Sequence, residues 1–283
     1  NMQTKVIKEK IKSVGNIKKI TKTMEMVSAA KMKKAIDVAL TLRPFHMEAQ
    51  HILADISLDS LVQHELLAPN HIDGELVILG ASNKGLCESD NVNAYRTLVA
   101  AYDGHKKKNI KMITVGKFAE KVAKKMHCEV LASFNHAVLT ARDARVITKM
   151  IIEQYKAKHV GTVRLLYTHF TTATSFTPTL VQLLPFTSEG KPDSHGEPRY
   201  EYEPSQDTVL DQIIPMMLHN IIYGGLLESY ASEHSARMFA MKNATDNADE
   251  LQKDLKLYFN RARQSAVTQE IAEITSGAMA LTT

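Results

Sequence analysis

The segment 83–87, Asn-Lys-Gly-Leu-Cys, is the first place in the chain where residue types and spacing suggest chemistry. It follows an apolar stretch typical of a strand, so its turn could cradle a phosphate and Cys87 could act as a nucleophile. The turn contains a single glycine, however, and the sequence offers no specific His or Asp partner for Cys87. We therefore favour a tight turn between a strand and a helix, with Cys87 as a half-buried structural thiol.

Other sequence signatures of catalysis were sought along the whole chain. It contains neither a GxxxxGK[ST] phosphate loop nor a GxGxxG dinucleotide turn. The twelve histidines show no HExxH-type spacing, and Cys87 and Cys128 are too few for a cysteine-based zinc site or a disulfide framework. We expect no catalytic residue, no cofactor and no metal site. A dinucleotide-binding enzyme with helical extensions remains the rival, although it would need the missing turn.

Composition describes an ordinary soluble chain with an unusual distribution of charge. Of its 283 residues, 44% are hydrophobic and 23% charged, and no apolar run approaches the roughly 20 residues that span a bilayer. The net charge is +4, yet residues 1–34 alone carry ten lysines against two glutamates. Such a basic segment suits nucleic acid, an anionic membrane or an acidic protein face.

The residue types between the lysines favour one of these partners. No Arg, Phe, Tyr or Trp precedes Arg43, whereas nucleic-acid binding usually interleaves arginine and aromatic residues with lysine. We therefore expect an acidic protein surface rather than nucleic acid. A solvated helix face and a coiled-coil scaffold remain the alternatives.

Both ends of the chain have helical periodicity. The first, from about Thr4 to Leu58, has one apolar stripe, and Pro44 is expected to kink or break it. The stripe comprises Ile7, Ile11, Val14, Ile17, Ile20, Met24, Val27 and Ala30. The last region has a heptad seam formed by Met241, Ala244, Ala248, Leu251, Leu255, Tyr258 and Ala262. Because an insert separates the two helices, we expect them to pair antiparallel.

The middle of the chain alternates short apolar stretches with helical ones. Strands are expected at 75–79, 110–115, 129–134, 162–167 and 180–186, with helices between them, which indicates a mainly parallel sheet. The predicted fold is thus α/β, a long antiparallel coiled coil of terminal helices plus a Rossmann-like α/β insert. We predict three parts: an N-terminal helix over 1–60, a globular domain over 61–205 and a C-terminal helix over 206–283.

Motifs at both ends and in the middle carry a family resemblance. These are IKSVGNIKKITKTMEMVSAAKM from Ile11, SEHSARMFAMKNATDNA from Ser232, YFNRARQSAVTQEIAEITSGAMAL from Tyr258 and, more weakly, SNKGLCESDN from Ser82. Together they resemble the γ subunit of F-type ATP synthases, in order and over the whole chain. The resemblance implies a non-catalytic rotor shaft that couples rotation of the membrane c-subunit ring to conformational cycling of the catalytic β subunits.

The resemblance also implies partners and a location. The partners are the α and β subunits of the catalytic hexamer, small central-stalk subunits of the delta or epsilon type, and the c ring, without nucleic acid or direct bilayer insertion. The implied place is the matrix side of the mitochondrial inner membrane, with the cytoplasmic side of a bacterial plasma membrane as the alternative. The start at Asn1 ahead of Met2 and the wording of the end motifs favour the mitochondrion.

Candidate subunit-interface residues follow from matching motif positions. In the first helix this is Met24, near the level expected for Arg237, with plain core packing as the alternative. Lys18, Lys19 and Lys22 are candidates because the basic helix would contact acidic segments of β. In the last helix, the polar groups of its ARQ and TQE motifs would meet a loop of β or brace the coil; they are Arg263, Gln264, Thr268 and Glu270. Cys87 lies in the central loop, where Glu88 and Ser89 replace the family's glycine-rich pair. Tyr200 and Tyr202 match the foot near the membrane ring, with a loop anchor as the alternative.

Overall fold

The chain contains two long helices, a five-stranded sheet and three shorter helices among the described residues. The computed structural model describes residues 2–58, 64–102, 109–136, 139–186, 203 and 205–282. Its elements are α1 (Met2–Leu58), β1 (Glu75–Gly80), α2 (Glu88–Tyr102), β2 (Ile110–Val115), α3 (Lys117–Lys125), β3 (Glu129–Phe134), α4 (Ala141–Lys156), β4 (Thr162–Thr172), β5 (Ser175–Leu184) and α5 (Gln206–Thr282).

The chain forms two compact units that divide the long helices internally. One unit comprises residues 1–28 and 237–283, and the other comprises residues 29–236. The predicted three-part division at 60/61 and 205/206 follows the ends of the helices instead, and it stays a prediction. Of the kink or break expected at Pro44, a break is wrong, because α1 continues through that residue, and the kink stays a prediction. A proline removes only one helical donor, which a long helix tolerates at a cost.

The sheet of the larger unit has the order β3-β2-β1-β4-β5. The first four strands are parallel, as predicted, and β5 pairs antiparallel with β4 from Ser175 onward. Strand β5 is longer than the predicted 180–186 because the β4–β5 hairpin extends beyond the end of β1. The α/β prediction is confirmed.

Alternation along β1 gives the sheet two apolar faces. Leu76 and Ile78 pack into a core formed with α4 and the first part of α5, whereas Val77 and Leu79 pack against α2 and α3. All four side chains are fully buried. Helices therefore cover both faces, as a mostly parallel sheet requires.

One glycine fixes the turn after β2. Gly116 has φ of 99°, and a Cβ atom there would lie 2.0 Å from the carbonyl oxygen of Ala81. Only glycine combines this backbone conformation with so close an approach. The turn brings the end of β2 beside the end of β1, where the segment 82–87 begins.

In the smaller unit, α1 and α5 pair antiparallel. The hydroxyl oxygens of Thr21 and Thr245 lie 2.8 Å apart, and Gln252 donates to the carbonyl of Ile11 at 3.5 Å. Gly15 also faces Gln252, because a Cβ on Gly15 would lie 2.9 Å from its amide nitrogen. The predicted antiparallel pairing is confirmed.

The residues that form the seam agree in part with the predicted ones. On α5, Met241 and Ala248 are buried and Leu255 is half-buried, as predicted, but Leu251 is 49% exposed and Tyr258 62% exposed. On the described part of α1 in this unit, the buried residues are Thr21 and Ser28. The predicted stripe of α1 is half-buried at Ile7, Ile11, Val14 and Met24 but exposed at Ile17, Ile20, Val27 and Ala30. Apolar periodicity therefore located most of the α5 side of the seam and about half of the α1 side.

Candidate subunit interface

The lysines of α1 fall into different environments. Lys18 pairs with Asp249 across the seam, and Lys22 donates to Glu25 of its own helix at 2.9 and 3.1 Å. Lys19 is exposed on the solvent side. Lys18 therefore helps to join the two helices, while Lys19 and Lys22 lie on the outer surface where a partner protein could approach.

Asp249 is the acidic centre of this part of the seam. Hydrogen bonds from Lys18 and Lys253 lower the pKa of its carboxyl to about 2. The Lys253 ammonium lies 2.9 Å from the second carboxylate oxygen, and the carboxylate raises the pKa of Lys253 in turn. One acid thus bridges lysines from both helices and remains ionised at neutral pH.

Met24 and Arg237 lie in the same unit at different levels. With Thr21 opposite Thr245, the level of Met24 falls near residue 242, and Arg237 lies about 7.5 Å further along α5 at 1.5 Å per residue. Met24 is half-buried and Arg237 is buried. Both side chains therefore face protein, although Arg237 is more deeply enclosed.

The four predicted residues near the end of α5 are all exposed. Arg263, Gln264, Thr268 and Glu270 lie on two successive turns, and the Thr268 hydroxyl donates to the carbonyl of Gln264 at 2.9 Å. Large apolar side chains lie exposed in the same stretch, namely Val267, Ile271, Ile274 and Met279. This end of α5 presents a mixed polar and apolar surface of the kind that a protein partner covers.

Cys87 points inward from the loop between β1 and α2. The thiol is 1% exposed and donates to the carbonyl of Lys84 at 3.3 Å, while the Asn91 side-chain amide donates to its sulfur at 3.6 Å. Asn91 also accepts a hydrogen bond from the backbone N–H of Ser82 at 3.2 Å. These hydrogen bonds fix the conformation of the loop around Cys87. The exposed residues of the loop are Lys84, Gly85 and Leu86. Leu86 has a positive φ of 65°, a feature that the sequence does not reveal.

The carboxyl ends of the parallel strands, where α/β folds of this order usually bind ligands, are filled by α5. A Cβ on Gly80 would lie 2.7 Å from Leu226, and the backbone N–H of Thr168 donates to the Ser229 hydroxyl at 2.7 Å. The space left between Gly80, Phe134 and Leu226 is about 30 Å³. That volume suits water and excludes a nucleotide.

A larger cavity of about 340 Å³ lies between α1, β4, β5 and α5 of the larger unit. Its polar wall is the carboxylate of Glu228, which lies 2.6 Å from Nδ1 of His169 and 3.9 Å from the guanidinium of Arg43. Burial, and then the charge of Glu228, raise the pKa of the neighbouring Tyr167 to about 12. The Glu228 carboxylate is therefore paired with the His169 ring and the Arg43 guanidinium. No sequence motif predicts this cavity.

The remaining predictions concern Tyr200 and Tyr202, metal ions and membrane-spanning helices. Tyr200 and Tyr202 lie outside the described residues, so their predicted contact with a membrane ring stays a prediction. Among the residues that the structure covers, no three His, Cys, Asp or Glu side chains are grouped closely enough to hold a metal ion. Within the same residues, no helix has an apolar stretch long enough to cross a membrane.

Comparison with known proteins covers nearly the whole chain. The family model described as ATP synthase matches residues 3–281. The chain is 36% identical to the ATP synthase gamma chain of Heliobacterium modesticaldum, over 97% of this chain and 98% of that one. It is 34% identical to the ATP synthase gamma chain of Stenotrophomonas maltophilia, with the same two shares covered.

A solved structure shares the fold. A chain in the cryo-EM structure of the Euglena gracilis mitochondrial ATP synthase, comprising OSCP, F1 and c-ring, superposes with a TM-score of 0.70. The match covers 99% of this chain and 94% of that chain at 18% identity. At that identity the likeness concerns the fold alone.

Proposed function

Because the chain belongs to the ATP synthase gamma-chain family, we propose that it is the rotor shaft of a proton-translocating F-type ATP synthase. It couples rotation of the membrane c-subunit ring to the conformational cycling of the catalytic β subunits, and it carries no catalytic residue itself. Its partners are the α and β subunits, small central-stalk subunits and the c ring. The Euglena chain with the same fold comes from a structure that contains F1 and a c-ring.

The pairing of α1 with α5 is the observation that carries the proposal. Both helices rise equally per residue, and Thr21 lies opposite Thr245. Met2 is nineteen residues before Thr21, so it lies level with Gln264, nineteen residues beyond Thr245. Within the described residues, the part of α5 beyond Gln264 lies past the level of Met2 and continues as helix to Thr282. A shaft inserted into a ring of subunits needs such a tip.

The surface of this tip supports insertion into protein. Arg263 and Gln264 lie close to the level of Met2, and exposed apolar residues follow from Val267 to Met279. Exposing apolar side chains to water along more than three turns of helix is unfavourable. A surrounding sleeve of partner subunits would bury them and remove that cost. Lys19 and Lys22 supply positive charge on the outer side of α1, where acidic segments of β would meet it.

The occupied crevice at the carboxyl ends of the parallel strands fits this function. The crevice at the carboxyl ends of the strands, where an α/β enzyme would bind its nucleotide, is filled by Leu226 and Ser229 of the chain's own last helix. In this proposal nucleotides bind to other subunits. The proposal assigns no cofactor and no metal to the chain.

The proposed location is the cytoplasmic side of a bacterial plasma membrane, where the chain is attached peripherally through its complex. The gamma chains of Heliobacterium modesticaldum and Stenotrophomonas maltophilia are bacterial and match at 36% and 34% identity. The mitochondrial inner membrane, which the sequence favoured, is supported by structural likeness alone at 18% identity. We therefore prefer the bacterial alternative.

Isolation of the native complex through a tagged chain tests the proposal. We expect α, β, a small central-stalk subunit and the c subunit to co-purify, and the complex to pump protons when it hydrolyses ATP. A cysteine introduced as Ile271→Cys should form a disulfide with a cysteine placed in the β sleeve, and the disulfide should block turnover until it is reduced. Lys253→Cys is the matched control, because this exposed position lies on the part of α5 that pairs with α1, and it should not form that disulfide. A chain that purifies without these subunits would refute the proposal.

A further inference from the structure

On the edge opposite β5, the last part of β4 lies against a helix instead of a strand. Strand β1 pairs with β4 only as far as Leu166, yet β4 continues to Thr172. Backbone groups two residues apart in a strand face the same edge, so Thr168 and Phe170 both face the side that β1 has left. Their backbone groups need partners, because unpaired buried amides are costly.

Helix α5 supplies those partners from one of its faces. The N–H of Thr168 donates to the Ser229 hydroxyl at 2.7 Å, and the Ser232 hydroxyl donates to the carbonyl of Thr168 at 3.3 Å. The N–H of Phe170 donates to the Glu228 carboxylate at 3.2 Å. One turn further on, the Ser235 hydroxyl donates to the carbonyl of Ala173, in the turn that follows β4.

The four side chains of α5 form a polar ladder, by which we mean Glu228, Ser229, Ser232 and Ser235. Their spacing places them on one side of the helix. Ser232 and Ser235 are fully buried, and Ser229 is 7% exposed. Buried hydrogen bonds to a strand's backbone have defined directions, whereas the hydrophobic effect is non-directional.

Thr168 also connects this ladder to the loop after β1. Its hydroxyl donates to the carboxylate of Asp90 at 2.9 Å, and all three residues of the chain Asp90, Thr168 and Ser229 are buried. Asp90 lies in the SNKGLCESDN motif, three residues beyond Cys87. One strand residue thus joins α2, the sheet and α5.

We propose that the polar ladder of α5 and the exposed edge of β4 form the torsional joint through which the globular domain turns the shaft helix. The inference rests on the proposed rotor function and names the residues that carry torque from the sheet to α5. Interdigitated apolar side chains also resist rotation of α5, but directional hydrogen bonds add a restraint on its angle about the helix axis. The serine hydroxyls resist that rotation because each bond holds α5 to a fixed point of β4.

The test replaces Ser229 and Ser232 together with alanine, which keeps the helix and removes two hydroxyls. Hydrogen exchange on the full chain should show the Thr168 amide exchanging about tenfold faster, as loss of one buried hydrogen bond implies. In the assembled complex, the number of protons pumped per ATP hydrolysed should fall while hydrolysis itself continues, because α5 would slip against β4 under load. Thr148→Val is the matched control, since its buried hydroxyl bonds only the carbonyl of Ala144 within α4.

Each outcome decides the proposal. Unchanged exchange at Thr168 would mean that the ladder does not hold β4, and faster exchange with unchanged pumping would mean that it holds the fold without carrying torque; either overturns the inference. If the double variant does not assemble, Ser229→Ala alone, which removes the acceptor of the Thr168 N–H, is judged by the same two measurements. Failure of the rotor function is distinguishable, because the wild-type complex would then show no coupled pumping at all.

Discussion

The hydroxyl oxygens of Thr21 on α1 and Thr245 on α5 lie 2.8 Å apart in the buried seam of the two helices. Each hydroxyl is also bonded within its own helix, Thr21 to the carbonyl of Lys18 at 3.1 Å and Thr245 to that of Met241 at 2.8 Å. The pair sets the register of the antiparallel helices with side chains small enough to allow close approach.

Replacing these threonines with valine tests how much the contact between their hydroxyls contributes to the free energy of unfolding. We expect Thr21→Val or Thr245→Val each to lower the free energy of unfolding by about 1 kcal/mol, and the double variant to lose less than the sum by about 0.5–1 kcal/mol. Urea unfolding of the full chain provides the numbers. Thr41→Val is the control, because its exposed hydroxyl bonds only the carbonyl of Asp37. Strict additivity would show that the two hydroxyls do not interact.

Protonation of Asp249 gives a pH dependence with a definite sign. The folded pKa of about 2 lies below the ordinary 3.8, because Lys18 and Lys253 stabilise the carboxylate. A lowered pKa contributes stability that is fully present above pH 4 and is lost as the pH falls toward 2. We expect the stability advantage of the wild type over Asp249→Asn to shrink across that interval. Because the ion pairs are partly exposed, 1 M salt should also reduce the advantage at pH 7. A difference that is constant from pH 7 to pH 2 would contradict the assigned role of the carboxylate.

Two leucines four residues apart on α5 test the corrected seam. Leu255 is half-buried against α1, whereas Leu251 is 49% exposed. Leu255→Asp places a charge in the seam and should lower the free energy of unfolding of the full chain by about 2 kcal/mol or more, while Leu251→Asp should change it by less than about 0.5 kcal/mol. The heptad register predicted from the sequence expects equal losses, so equal losses would restore that register.

The strands could be predicted because each is a short, nearly continuous apolar run. β1 shows why: its residues 76–79 are all apolar, since helices cover both faces of the sheet. The seam could be predicted only in part. Apolar spacing located Met241 and Ala248 on α5, whereas the buried residues opposite them on α1 are Thr21 and Ser28. Hydroxyl side chains lie outside any apolar pattern, so hydrophobic periodicity does not find them.

The polar ladder of α5 was equally invisible to sequence reasoning. Serines spaced like Ser229, Ser232 and Ser235 are typical of a solvated helix face, and nothing in the pattern indicates that they meet backbone groups of β4. The need for them arises only because β1 ends at Gly80, before β4 does. Contacts determined by where a strand ends depend on the tertiary structure, and local periodicity does not encode them.

Arg263 and Gln264 offer the sharpest test of the rotor mechanism, because both are exposed on α5 close to the level of Met2. We predict that both side chains donate hydrogen bonds to a loop of one β subunit in only one of its three states. Charge-assisted bonds of this kind contribute ~1.5–3 kcal/mol each, and ~1.4 kcal/mol changes a rate tenfold. The double variant Arg263→Ala with Gln264→Ala should therefore slow steady-state ATP hydrolysis and proton pumping by the complex about tenfold or more.

Two controls separate this loss from assembly and from the chemistry of ATP. Lys256→Ala removes an exposed cation from the paired part of α5 and should leave turnover unchanged. Nucleotide affinity of the isolated β subunit should also be unaffected, because the altered residues belong to the shaft. Subunit composition of the double-variant complex, measured on gels, must match the wild type. Full turnover in such a correctly assembled complex would show that Arg263 and Gln264 are solvated helix surface, and would leave the exposed apolar residues beyond Val267 as the main contact with the β sleeve.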